Sequence, residues 1–186
     1  KRSPFMYPFI RGAIASVRAV WAGPIGLLDV HENSVTCLPW DLDTWRELNN
    51  GRTLSLYDLG RVPLVQRTGL MRAARSEGLM FTVAGSTTRY RRRVTAMMRL
   101  RMTNRIMCWD DRFFYVEHAM WRSDGECTSH AVIRFATTTG KGLESPDRIL
   151  RALSYTGPVP EVPEWIATWT ASEKQRPWPP MAPPIA

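Results

Sequence analysis

The feature that most constrains this chain is a change of hydrophobic period after Gly78. Residues 79–90 are rich in β-formers. Through residues 96–108 apolar and polar side chains then alternate, with Met98, Leu100, Met102, Ile106 and Cys108 expected on one face and Arg99, Arg101, Thr103 and Arg105 on the other. A period of two is what a strand with one buried face requires. Asp110-Asp111 marks a turn, residues 113–121 the next strand, Ser123-Asp124-Gly125 a second hairpin turn, and residues 127–137 the last strand. Strands joined by turns this short pair antiparallel, and their apolar face needs a cover.

The cover precedes the strands. A short strand is expected over residues 34–40, followed from Asn49 by NNGRTLSLYDLGR, an asparagine cap ahead of Leu54, Leu56 and Tyr57 at helical spacing. Pro63 is expected to end or kink that helix, with a second piece over residues 65–75 stopped at Glu77-Gly78. The order strand, helix, four strands gives an α+β domain in which a sheet packs on a helix. This body spans residues 33–140. Residues 1–32 form an N-terminal helical segment, residues 141–175 a C-terminal helical appendage and residues 176–186 a tail. Trp165 and Trp169, four apart, share a helical face expected to pack on the body, and five prolines in the last eleven residues keep the tail extended. The apolar stretch over residues 10–28 is interrupted by Arg11, Arg18 and Gly23-Pro24. It is read as a packing helix ending near Gly23 in preference to an amphipathic segment resting on a membrane, and neither a membrane span nor a signal peptide is expected.

Twenty-five basic against seventeen acidic residues give a net charge of +8, which attracts nucleic acid, anionic lipid or a phosphate-rich small molecule. The basic residues are spread along the chain and nucleic-acid-reading motifs are absent, so no nucleic-acid partner is expected. Cys37, Cys108 and Cys127 have neither metal-site nor disulfide-framework spacing, which predicts no metal, no cofactor and a cytoplasmic setting. No serine or cysteine sits in a nucleophile elbow, and His118 and His130 fall on opposite faces of strands as ordinary sheet residues.

The segment LPWDLDTWRELNNGRTLSLYDLGR, residues 38–61, resembles the 4-hydroxybenzoyl-CoA thioesterase-like hotdog superfamily. Asp41-Leu42-Asp43 matches that family's Asp-x-Asp at the end of the first strand, and Asn49-Asn50-Gly51-Arg52 matches the Asn-Asn at the start of the central helix. Tyr57-Asp58-Leu59-Gly60-Arg61 resembles the helix continuation, and residues 88–92 the strand after it. The resemblance implies a hotdog fold, an antiparallel five-stranded sheet wrapped around a long central helix. It also implies hydrolysis of an acyl-CoA or related thioester and a homodimer or dimer of dimers. Two positions depart from the pattern: Glu47 stands where the family has histidine, and Thr53 where it has tyrosine. The alternative is accordingly a non-catalytic acyl-CoA or acyl-binding protein on the same scaffold.

The resemblance gives Asp43 the role of base or nucleophile, with Glu47 a second carboxylate replacing the histidine. Backbone N–H groups near Asn50 and Gly51, at the positive end of the helix, suit an oxyanion. Substrate contacts are expected from Trp45, Asn49, Asn50, Gly51, Arg52 and Tyr57. Arg91, Arg92 and Arg93, in a cluster with Arg89, suit coenzyme A phosphates. Plainer readings stand beside these: Asp43 as a turn cap, Asn49 and Asn50 as helix caps, Glu47 as an exposed turn residue, Trp45 as a shield for the helix end, and the arginines as a solvated turn.

Overall fold

The computed structural model describes residues 9–180. Helix α1 (Phe9–Trp21) leads into β1 (His31–Thr36), and a 3-10 turn over Pro39–Asp41 precedes α2 (Asn50–Arg67). After α3 (Leu70–Ser76) come β2 (Met80–Tyr90), β3 (Arg99–Trp109), β4 (Phe113–Trp121) and β5 (Cys127–Thr139). A short β6 (Gly142–Glu144), α4 (Pro146–Ala152) and α5 (Glu164–Gln175) follow. The sheet is antiparallel in the order β1-β3-β4-β5-β2. It carries six strands, one more than expected, because β6 pairs with Thr137–Thr139 just past the point where β4 begins opposite Ala136. The sheet curls around α2 as a half-barrel, which is the hotdog arrangement.

Four local expectations are corrected. The first strand starts earlier, at His31, and ends earlier, at Thr36; Cys37 still exchanges backbone bonds with Met97 and Met98, and the 3-10 turn begins at Pro39, which has no N–H to give a ladder. A bulge between Ile106 and Cys108 breaks the alternation, so Cys108 joins Phe113 and Tyr115 on the outer face while Ile106 and Trp109 stay on the inner one. Pro63 does not end α2. A proline leaves the carbonyl four residues earlier without its helical donor. Here that carbonyl, on Leu59, accepts from the Asn33 side chain of β1 at 3.2 Å, and the helix runs on to Arg67. The break comes instead at Gly69, whose φ of +80° opens α3. Finally, of the tryptophans expected to seat α5, Trp169 packs edge-on to Tyr115 with ring centroids 6.4 Å apart, but Trp165 is half-exposed beside His130. Ile166 is the helix's single buried residue.

The inner face of the sheet and α2 make the core. Leu56, Tyr57, Leu59, Leu64 and Val65 of α2 meet Leu100, Met102, Ile106, Phe114, Val116 and Ile133. Contact is closest at Gly60, where a Cβ would stand 2.2 Å from Asn104 Oδ1. The outer face divides in two. Around Cys108, Phe113, Tyr115, Val132 and Ala136 it is apolar and lies under α5. Elsewhere it carries ion pairs, Arg105 with Glu117 and Arg101 with Glu32, and Glu117 also bonds His130. Helix α1 packs on α2 and ends before Gly23, as expected. Arg11 ties its first turn to Asp41, and Arg67 donates to the Ala22 and Gly23 carbonyls at its last. No described helix is long and apolar enough to cross a membrane.

Candidate active site

Asp41 is fully buried, accepting from Arg11 at 2.9 Å and from the Leu38 N–H at 3.0 Å, while its carbonyl takes the Asn49 N–H at 2.9 Å. It therefore staples α1 and the strand end to the start of α2. The loop between them is closed by Asp43. One carboxylate oxygen, Oδ1, accepts the Trp45 and Glu47 N–H groups at 2.9 and 3.2 Å, and the Asp43 N–H donates to the Glu47 carbonyl at 2.8 Å. A bridge between Leu42 and Leu48 flanks this turn, and Arg46 takes a φ of +60° at its tip. Asp43 thus caps a turn with Oδ1, while Oδ2 has no hydrogen-bond partner among the described residues.

Asn49 is the N-cap of α2. Its Oδ1 accepts the Gly51 and Arg52 N–H groups at 2.9 and 3.2 Å, and its carbonyl takes both the N–H and the hydroxyl of Thr53. This closure corrects the expected donor set. The Gly51 N–H is occupied by the cap, and Asn50 carries the first-turn N–H that has no partner among the described residues.

A small cavity of about 70 Å³ opens against this helix end, between Glu47, Asn50 and Thr53 on one side and Tyr90, Arg92 and Ser129 on the other. Two of the residues singled out from the sequence meet beside it: Glu47 accepts from Arg93 Nε at 2.6 Å. The carboxylate in the histidine position is therefore neutralised by its own ion pair. Arg92 pairs with Glu126 at 2.9 Å, and Arg91 keeps its guanidinium without a partner among the described residues. Trp45 stands 75% exposed at the loop tip. Tyr57 is brought near but not into the cavity. It is fully buried, stacks on His118 at 5.2 Å, and reaches the cavity wall through a 2.8 Å bond from its hydroxyl to Ser129 Oγ. Burial drives the Tyr57 pKa upward, which leaves its hydroxyl a neutral hydrogen-bonding group.

A larger cavity of about 590 Å³ lies between the second half of α2, α3 and β2. Its walls are mainly apolar, with Val62, Val65, Met71, Phe81 and Phe135 among them, and the ion-paired Asp58 and Arg61 at one side. Burial raises the Asp58 pKa and lowers that of Arg61, each opposed by the other's charge. The Arg61 guanidinium lies 5.5 Å over the Phe135 ring. These wall residues are not singled out as site residues by the sequence, although Asp58 and Arg61 belong to the motif stretch itself. The rest come from elements far apart in the chain, and only the fold gathers them.

Comparison with known proteins agrees with this architecture. The thioesterase-like superfamily matches residues 37–170. Protein THEM6 of Xenopus laevis is 32% identical over 163 residues, covering 87% of this chain and 77% of that protein. Among solved structures, the YbaW probable thioesterase of Escherichia coli superposes with a TM-score of 0.60 at 17% identity, over 66% of this chain and 95% of that one. The DHNA-CoA thioesterase of Staphylococcus aureus does so at 0.56 with 9% identity, over 78% and 91%. Strand order, central helix and the matched residues lead to one assignment: the chain belongs to the thioesterase-like superfamily.

Proposed function

We propose that the chain hydrolyses an acyl-CoA or a related thioester, with Asp43 as base or nucleophile and the start of α2 as the oxyanion site. The observation that carries this reading is the division of labour at Asp43: Oδ1 is fixed by two N–H groups, so Oδ2 is held in place with no partner of its own. A carboxylate oriented in this way either draws a proton from water or attacks the thioester carbonyl directly. The oxyanion that forms is stabilised by the positive end of α2 and by the unclaimed Asn50 N–H. Collapse expels the thiolate, and water supplies the oxygen of the product acid and the proton of the thiol.

The apolar cavity between α2 and β2 suits an acyl chain. The partner-free guanidinium of Arg91 suits a coenzyme A phosphate, whereas Arg92 and Arg93 must first leave their glutamates. A second copy pairing along the edge of β2, an eleven-residue strand with only β5 beside it, completes the proposed working unit. The thiols of Cys37, Cys108 and Cys127, all free, favour a cytoplasmic setting. The second reading, an acyl-CoA binder without catalysis, draws on one observation: Glu47, in place of the family's histidine, is already paired with Arg93.

Asp43→Asn keeps an oxygen for the turn and removes the charge. With a panel of acyl-CoAs and a free-thiol reagent, the unaltered chain releases thiol, and the variant loses at least about 100-fold in turnover with its melting temperature unchanged. Equal turnover in the variant removes Asp43 from the mechanism; binding without any thiol release supports the second reading.

A further inference from the structure

Helix α1 is packed inside out. Its residues against the body are small or basic, Arg11, Ala15 and Ala19, while Phe9, Ile10, Ile14, Val17, Val20 and Trp21 all point away. Phe9 is 72% exposed, Val20 74% and Trp21 87%. At 100° per residue these six and Ala13 fill one continuous arc of about 140°. A helix that used its apolar face to join the core has the opposite orientation, so the sequence expectation of a packing helix holds only for its narrow alanine side.

We propose that this face of α1 lies on the surface of an anionic lipid bilayer. Charge decides between lipid and a second copy of the chain. The helix contains two arginines and no acidic residue. Arg11 and Arg18 border the apolar arc, and a groove of about 580 Å³ beside the helix is lined by both of these together with Arg67 and Arg99. Glu32 in that groove is already paired with Arg101. The guanidinium groups of Arg18 and Arg99 have no partner among the described residues. A second copy brings the same acid-free helix against these cations, whereas anionic headgroups meet them while the arc enters the acyl boundary. Trp21, at the end of the arc, is the residue type that settles at such a boundary. The helix is fixed to the body by Arg11 to Asp41 and by Arg67 to the Ala22 and Gly23 carbonyls, so the whole protein follows it to the surface.

The test is co-sedimentation of the full chain with vesicles of phosphatidylcholine alone or mixed with phosphatidylserine. Binding is expected to the mixed vesicles and to fall as salt rises. The pair Ile14→Glu and Val17→Glu, both at exposed positions, lowers partitioning at least about tenfold with the far-ultraviolet spectrum and melting unchanged. Arg18→Glu lowers it roughly fivefold or more and removes the preference for the anionic lipid. Absence of binding to mixed vesicles at low salt overturns the proposal. So does equal binding by the variants, and so does a change in oligomeric mass caused by Ile14→Glu and Val17→Glu without lipid, which assigns the face to a second copy.

Discussion

Asn104 stands fully buried where α2 crosses β3, in the space that Gly60 leaves open. Its amide N–H groups go to the His31 carbonyl and Asn33 Oδ1, so its own Oδ1 accepts from His118 Nδ1 at 2.8 Å. That order makes His118 a neutral imidazole with its proton on Nδ1. The pKa of His118 is driven well below the usual value by burial first, then by Arg61 and His130. His31, accepting from Arg67 at 2.9 Å, is lowered to about 4 by burial and then by that arginine. Both histidines are held neutral in the folded state, while the unfolded chain protonates them near pH 6.5. Stability is therefore complete above pH 6.5 and declines as pH falls below it, by up to about 1.4 kcal/mol per pH unit for each histidine. Urea unfolding midpoints measured between pH 7 and 5, above the range where ordinary carboxylates titrate, are expected to fall steadily; a flat profile means that neither histidine is held neutral. Alternation put His118 and His130 on opposite faces correctly, but nothing local marks His118 as fully buried and bonded to an asparagine of the neighbouring strand. Those facts depend on the pairing of Asn104 with His118 and of His31 with Asn104.

At the scale of elements, helix α2 shows which signals are local and which are not. Its start was readable because an N-cap works within one turn: Asn49 holds the Gly51 and Arg52 N–H groups, three residues away at most. Its end is not legible locally, because the residue that lets the helix continue through Pro63 is Asn33, on another element. The same contrast separates the turns from the strands. Asp110 accepts the Arg112 and Phe113 N–H groups, and Gly125 takes a φ of +86°, so both hairpins follow from local chemistry. The bulges at Val83/Gly85 and Ile106/Cys108 answer to the partner strands instead. The cap also governs the candidate site, since it leaves Asn50 as the free donor. Asn49→Ala is expected to cost about 1 kcal/mol of stability, and Asn49→Asp much less, because the aspartate keeps an acceptor. Thermal melting of the two variants measures this. A similar loss in both means that the side-chain acceptor at Asn49 is not what stabilises the start of α2.

For the whole molecule, the question is which surfaces remain for association. The inner face of the sheet is filled by α2, and the outer face is divided between α5 and the ion pairs around Glu117 and Arg101. Face-to-face stacking of two sheets has no free apolar ground while α5 is seated. The edge of β2 is different: long, exposed at Met80, Val83 and Tyr90, and bordering both the small cavity at Tyr90 and the large one at Phe81. A dimer built there places each candidate site beside the partner, whereas a dimer of dimers through the outer face requires α5 to move. The element order that implied a hotdog sheet was legible, and so was a C-terminal helix packed on the body; the face it covers was not, because Ile166 and Trp169 seat α5 on residues of β3, β4 and β5 that only the fold gathers. Burial of the Ile166 side chain is worth about 2–3 kcal/mol. Two substitutions separate the surfaces. Met80→Lys with Val83→Lys sets like charges on the edge and is expected to give a monomer by light scattering, with thioester turnover reduced. Ile166→Glu is expected to leave the proposed pairing along β2 untouched but to unseat α5, exposing the apolar patch and driving further concentration-dependent association. Should the lysine variant remain dimeric, the edge of β2 is not the contact; should Ile166→Glu change nothing, α5 is not what keeps the outer face apart.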